Sequence, residues 1–180
     1  MKTQLLKTSL ILLGLVFGLT TTSCSDEDDG GGSGGNAAAG TIKANVDGFN
    51  FESEPMATSL TITDDGAGTT MLITATDFEG RNLTLQITTG YSGEGNYDIG
   101  GDNTVFVTAT WVEVDVNDPF GPQDSYISPY DDDGDPIKGF IDINSDTGDN
   151  IKGTFEFTAA DNMGGNDIVN VTNGSFNLDY

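Results

Sequence analysis

The chain has 180 residues, of which 29 are acidic, six are basic and none is histidine, so its formal net charge at pH 7 is −23. A surface of this sign repels the phosphate backbone, which excludes nucleic acid as a partner. Without histidine and with a single cysteine, the chain has no nucleophile activated by histidine and no histidine-bearing zinc site.

The first 23 residues have the layout of an export signal. Lys2 and Lys7 precede an apolar run from Leu10 to Leu19, and small polar residues lead up to Cys24. A run of about ten residues suits a signal peptide, whereas a membrane-spanning helix needs about 20. We therefore predict a lipoprotein signal peptide over residues 1–23, and its removal takes two basic residues and leaves a net charge of 4 − 29 = −25.

Cys24 is the only cysteine, so it cannot form an intramolecular disulfide. A lone cysteine directly after an export signal is explained by lipidation, because several acyl chains such as palmitate anchor a protein firmly. The stretch TTSC, residues 21–24, resembles the relaxed lipobox of lipoproteins of the Bacteroides and Flavobacterium group, with Thr21 where leucine is usual. The resemblance implies an anchor in the outer membrane.

An acidic run follows the lipidated cysteine and consists of Ser25, Asp26, Glu27, Asp28 and Asp29. It is similar to the export signal that carries such lipoproteins to the cell exterior; the alternative is a merely solvated acidic spacer. Glycine and serine dominate the rest of residues 24–40, which predicts a flexible tether.

Residues 41–180 are predicted to form a single all-β domain, because Thr, Ile, Val and Phe alternate with polar residues between Gly, Asn and Asp punctuation. Asp47-Gly48 predicts a first hairpin, and DDGAG connects a second. The strands EGRNLTLQI, GNYDIG and NTVFVTATWVEVDV follow. The last of these changes phase, so we expect a bulge or bend near residues 110–112 and a half-exposed Trp111.

Residues 117–136 contain four of the five prolines and are predicted as a long connection without regular structure. KGFIDIN and IKGTFEFTA then form a hairpin, with Phe155, Phe157 and Ala159 facing inward. In DIVNVTNGSFNLDY a bulge at Asn173-Gly174 explains the change of phase. About ten antiparallel strands in meander order indicate a β-sandwich; the alternative is an up-and-down β-barrel of calycin-like form.

The C-terminal half carries a second resemblance. GNYDIG, GFIDINSDTGDNIKGTFEFTA and VNVTNGSFNLDY resemble the GTF-x-FTA and TNG-x-F strands of an uncharacterised lipoprotein family of the same bacterial group. Together with VDGFNF the resemblance covers most of residues 41–180. It implies a shared domain of unknown function and no catalytic residues.

Two clusters of oxygen ligands are candidates for calcium, which takes six to eight oxygens. The first is Asp131, Asp133 and Asp135 around Gly134. The second combines Asp142, Asn144, Asp146 and Asp149, although the first two also fit outward strand positions. Both clusters have the composition of ordinary acidic turns.

Exposed aromatic rings beside carboxylates can stack on sugar faces, and Trp111, Tyr126, Tyr130 and Phe120 fall on or near the long connection. Core packing is the alternative. A glycosidase that uses a pair of carboxylates has no specific support, because a chain with 29 acidic residues contains many such pairs without catalysis. The sequence therefore predicts a non-enzymatic surface lipoprotein that binds an extracellular ligand such as a glycan, or else a structural partner of an outer-membrane protein complex.

Overall fold

The computed structural model describes residues 36–102, 106–131 and 136–180. These residues belong to one compact unit. The part of the chain that the structure describes contains eleven strands: β1 (Thr41–Val46), β2 (Phe49–Glu52), β3 (Thr58–Asp64), β4 (Thr69–Thr76), β5 (Arg81–Thr88), β6 (Gly95–Gly100), β7 (Phe106–Glu113), β8 (Asp124–Ser128), β9 (Ile137–Asp146), β10 (Asn150–Asp161) and β11 (Ile168–Asp179). The prediction of an antiparallel all-β domain is confirmed.

One turn of 3₁₀ helix, Pro55–Ala57, connects β2 to β3. It is the single helical element in the described ranges. None of these residues forms a helix with the length and apolar character needed to cross a bilayer.

The strands form one curled sheet, a half-barrel, in the order β2-β1-β11-β10-β8-β7-β5-β4-β3, with β9 and then β6 branching from β10. The branch arises because the same edge of β10 pairs with two strands at different positions along its length. It pairs with β9 between Ile151 and Phe157 and with β8 at Ala160 and Asp161. The observed fold is intermediate between the predicted sandwich and the alternative barrel, because a single curled sheet folds over one core.

The core lies inside the curl. Phe51 of β2 and Trp111 of β7 are far apart in the strand order, yet their rings meet edge to face with centroids 5.2 Å apart. Alternation buries Phe155, Phe157 and Ala159 of β10, as predicted. The curl thus has two limbs, one that contains β2 and one that contains β7, and their inward faces pack against each other.

Two backbone predictions are confirmed. The β1–β2 hairpin turns at Asp47 and Gly48, whose φ angles are 45° and 95°, as a two-residue turn of this kind requires. Between β10 and β11, Phe155 pairs with Gly174 but Phe157 pairs with Val171. The register of β11 therefore shifts at Asn173, where φ is 52°. This bulge keeps the residues on both sides of it facing the core.

Two other predictions are wrong. The pairing of β7 with β5 runs without a shift from Phe106 to Glu113, so no bulge lies near residue 111. The apparent change of phase in the sequence of β7 arises because the strand ends at Glu113 and the following valines leave the sheet. The connection between β7 and β9 also contains β8, a strand too short and too close to prolines for its alternation to be recognised.

Candidate functional site

Trp111 belongs to the core and not to an exposed platform. Its side chain has no solvent exposure, and its ring packs against Phe49 as well as Phe51. The indole Nε1–H donates to Glu113 Oε1 at 2.9 Å, which satisfies its one polar group. The prediction that Trp111 is half exposed and stacks on a sugar is therefore wrong.

Of the other predicted aromatic residues, Phe120 is 99% exposed, whereas Tyr126 and Tyr130 contact different parts of the domain. Tyr126 pairs with Trp111 and is partly buried against the core; burial and then the charge of Asp124 raise the pKa of its hydroxyl. The ring of Tyr130 instead lies 3.9 Å from Nζ of Lys138. The structure therefore does not bring Trp111, Tyr126 and Tyr130 together on one surface.

The predicted metal ligands are only partly described. Asp131 is exposed, whereas Asp133 and Asp135 lie outside the described residues, as do Cys24 and the acidic run Ser25, Asp26, Glu27, Asp28 and Asp29. Across residues 36–102, 106–131 and 136–180, no three acidic, cysteine or histidine side chains converge closely enough to hold a metal ion.

The second calcium candidate is not formed. Oδ2 of Asp142 accepts a hydrogen bond from Nδ2 of Asn144 at 2.8 Å, which places these two side chains beside each other on the strand. The carboxylate of Asp146 is used elsewhere. Its Oδ2 accepts the Tyr91 hydroxyl at 2.6 Å and its Oδ1 accepts the Tyr180 hydroxyl at 2.8 Å.

This arrangement around Asp146 joins three distant segments: the β5–β6 connection, the β9–β10 turn and the chain end. Burial and then the hydrogen bond to Asp146 raise the pKa of Tyr91. The hydrogen bond from Tyr91 is also the main reason why the pKa of Asp146 is lowered. The tyrosines therefore stay protonated and the carboxylate ionised, which makes the cluster a structural clasp.

A groove of about 350 Å³ lies on the outer face of the sheet, where β6, β9, β10 and β11 run side by side. Its polar lining comes from Asp98, Lys138, Glu156, Thr158, Asn170 and Thr172. The outward ring of Phe140 adds an apolar floor. This volume is at the lower end of the range for small-molecule sites, which runs from about 300 to 1,000 Å³.

The polar groups of the groove are held in place by their neighbours. Lys138 is only 8% exposed, because the Tyr130 ring covers its ammonium group. Oδ1 of Asp98 accepts from Nδ2 of Asn96 at 2.6 Å, and Oε1 of Glu156 accepts from the backbone N–H of Asn173 at 3.2 Å. The second carboxylate oxygen of Glu156 can accept from a ligand hydroxyl.

The outer face of the limb formed by β3, β4, β5 and β7 is uncharged. The outward residues of β3, β4, β5 and β7 are Ser59, Thr61, Thr63, Thr70, Leu72, Thr74, Thr76, Asn82, Thr84, Gln86, Thr88, Phe106, Thr108, Thr110 and Val112. We call this surface the threonine face. In a chain of net charge −23, its lack of charge distinguishes it from the groove side, where Asp98, Lys138 and Glu156 lie.

The sequence did not predict the groove or the threonine face. Lys138, Phe140 and Glu156 lie on two strands that pair only through the β9–β10 hairpin, and Asp98 joins them through the branch to β6. The threonine face does leave a signal, because the outward polar positions in β3, β4, β5 and β7 contain hydroxyl and amide residues but no acids or bases.

The chain matches, over residues 38–178, a family model described as a domain of unknown function, DUF6252. Comparison with curated proteins and with solved structures gives no significant match. Because the family model covers most of the chain, including every strand of the curled sheet, the protein is a member of the DUF6252 family.

Proposed function

We propose that the protein is a non-enzymatic lipoprotein, anchored through lipid on Cys24 at the exterior of the outer membrane, whose β-domain binds an extracellular glycan in the groove. The lipobox-like TTSC stretch and the acidic run after it support the anchor and its location. The acidic net charge of −23 opposes any role with nucleic acid.

The composition of the groove carries the glycan proposal. Sugars present apolar C–H faces together with many hydroxyl groups. The Phe140 ring offers a surface for the former, and Glu156 and the side-chain oxygen of Asn170 offer acceptors for the latter. The side-chain Nδ2 of Asn170 already donates to Oδ1 of Asp47 at 3.1 Å. A ligand of this kind is held by a few convergent polar groups around an apolar floor.

Affinity electrophoresis in gels that contain laminarin, xylan or starch tests this proposal. We expect one of these neutral polysaccharides to retard the domain, and we expect acidic alginate not to, because the domain is strongly acidic. Phe140→Ala and Glu156→Gln should reduce the retardation at least severalfold. Retardation that both variants retain, with unchanged melting temperatures, would place the ligand elsewhere.

Phe106→Ala is the matched control for Phe140→Ala. Phe106 is also an outward aromatic residue, 64% exposed, but it lies on the threonine face. Its removal should leave retardation unchanged. Loss of retardation in Phe106→Ala alone would move the glycan site from the groove to that face.

The anchor and its orientation are tested separately in intact cells. Added protease should remove the domain, and replacement of Asp26, Glu27, Asp28 and Asp29 by alanine should protect it. Cys24→Ala should release the protein from the membrane fraction. Protection of the unsubstituted protein would place it on the periplasmic side.

A second function, assembly into an outer-membrane protein complex, is favoured by one observation. Phe78, Val116, Phe120 and Met163 are between 56% and 99% exposed. Their loops adjoin, since the Val114 N–H donates to the Gly80 carbonyl and the Asn162 N–H donates to the Ser125 carbonyl. Co-purification of other envelope proteins that Phe120→Ser abolishes, together with no glycan retardation, would favour this function over glycan binding.

A further inference from the structure

Strand β3 forms one end of the sheet and has the features of an edge that accepts another strand. It is the last strand in the order and pairs only with β4. The seven pairs from Thr58↔Ala75 to Asp64↔Thr69 run without a bulge. Among the described residues, no hydrogen bond from another segment reaches the outer edge of residues 59–64.

Exposed edges in natural sheets are usually short, charged, bulged or interrupted by proline, which prevents unwanted pairing. The opposite end of the sheet follows this rule, because β2 has four residues and ends at Glu52. Strand β3 has seven residues, no proline and no lysine, and its single charge is at Asp64. The edge is therefore open to pairing.

The sequence of β3 is also complementary to itself. We propose that β3 pairs antiparallel with β3 of a second copy of this chain, centred on Thr61. In this register Leu60 lies opposite Ile62 of the second copy, and Ser59 lies opposite Thr63. Leu60 and Ile62 are inward residues that the core only partly buries, so pairing extends the apolar face across the boundary.

The distribution of charge favours this register and favours a second copy of the chain as the partner. Each Asp64 lies opposite Thr58 of the second copy, and the two Asp64 residues are about 20 Å apart at 3.4 Å per residue. This separation exceeds the Debye length of about 8 Å at physiological ionic strength. The threonine faces of the two copies also adjoin without bringing like charges together, although each chain has a net charge of −23.

The proposal does not depend on glycan binding. The contact is small in comparison with a standard protein interface, so its occupancy in the cell rests on the proposed lipid anchor, which raises the effective concentration of one copy beside another. High salt should strengthen the pairing, because it screens the repulsion between the acidic domains.

Cysteine cross-linking in the full-length chain tests the register. Opposite residues in antiparallel strands have Cα atoms about 4.5 or 5.5 Å apart, within the range of a disulfide. Thr61→Cys should therefore give a covalent dimer in mildly oxidised membranes at least tenfold more than the unsubstituted chain, in which Cys24 is the only cysteine. Ser59→Cys and Thr63→Cys should each give little dimer alone but a dimer when co-expressed.

Three results would overturn the proposal. The first is a Thr61→Cys chain that stays monomeric in the membrane fraction. The second is equal cross-linking at all three positions, which would indicate random collision. The third is a cross-linked product that contains a different protein.

Fractionation of the same sample reports on the anchor independently. If the chain is not in the membrane fraction, the anchor is wrong, and the same oxidation of the concentrated soluble chain then decides the pairing. Thr61→Lys is the matched disruption, because it puts two like charges opposite each other at an exposed position. In a chain that also carries the Ser59→Cys and Thr63→Cys substitutions, it should abolish their cross-link and leave the melting temperature unchanged.

Discussion

At the scale of single residues, burial decides what the aromatic side chains do. Trp111 and Phe106 lie on the same strand, yet Trp111 has no exposure and Phe106 is 64% exposed. Only Trp111 contacts the opposite limb of the sheet, through Phe49 and Phe51. The two rings therefore make very different contributions to the free energy of unfolding.

Trp111→Ala should lower the free energy of unfolding by about 3–5 kcal/mol, because it removes a large buried ring and leaves a cavity. Phe106→Ala should change it by less than about 0.5 kcal/mol, as is usual for exposed positions. Urea denaturation of residues 36–180 measures both. Equal effects of the two substitutions would contradict the packing described here.

The clasp around Asp146 predicts how stability responds to alkaline pH. Burial and the hydrogen bond to Asp146 raise the pKa of Tyr91, so the folded state favours the neutral phenol. The stabilisation is fully present below the unfolded value of about 10 and is lost as pH rises above it. Tyr91→Phe should therefore be less stable at pH 8 and lose less stability between pH 9 and 11.

Denaturant midpoints at pH 8, 9, 10 and 11 measure this difference. The loss should be reduced and not abolished in Tyr91→Phe, because the pKa of Tyr180 and that of Tyr126 are also raised. Parallel pH curves for the variant and the unsubstituted domain would show that Tyr91 does not supply this dependence.

At the scale of strands, a glycine in β10 allows the neighbouring strands β9 and β11 to pack closely around it. A Cβ atom at Gly153 would overlap with the Phe176 ring and with the backbone carbonyl of Asp142. The glycine thus leaves room for a large ring from the neighbouring strand.

Gly153→Ala should lower the free energy of unfolding by about 1–3 kcal/mol, the usual cost of overpacking a core. Thr154→Ala, one residue further along the same strand, is the matched control, because its side chain faces outward and leaves the core unchanged. Urea denaturation compares the two. If Gly153→Ala were as stable as the unsubstituted domain, the contact with Phe176 would not limit the packing.

At the scale of the whole molecule, charge is distributed unevenly. The acids concentrate in turns and on the groove side, and the threonine face has none. The clasp, the two outer faces and the open edge of β3 all depend on how the sheet curls. A net charge of −23 also opposes the compact state through repulsion between like charges.

Added salt should therefore stabilise the domain. We expect the melting temperature of residues 36–180 to rise when sodium chloride increases from 20 to 500 mM, because shorter screening lengths weaken the repulsion. The melting temperature should be measured at low micromolar protein concentration, where strand pairing between copies does not contribute. Asp64→Asn combined with Asp65→Asn should show a smaller rise, and a fall with salt would show that ion pairs outweigh the repulsion.

The sequence alone determined the all-β class, the hairpin at Asp47-Gly48 and the bulge at Asn173, because alternation and turn chemistry are local properties of the chain. It also excluded histidine-dependent chemistry through composition. It did not determine the burial of Trp111, since the rings that cover this residue come from β2, at the far end of the strand order. Such contacts follow only from the curvature of the sheet.

The groove, the clasp and the open edge were decided by tertiary structure for the same reason. Asp98 and Glu156 flank Phe140 only because β9 lies between β6 and β10, and Tyr91 reaches Asp146 from 55 residues away in sequence. The strand pattern in β3 predicts alternating faces but not that this strand ends the sheet. Pairing order is a long-range property, because each strand has two edges and its own sequence rarely specifies which neighbour fills them.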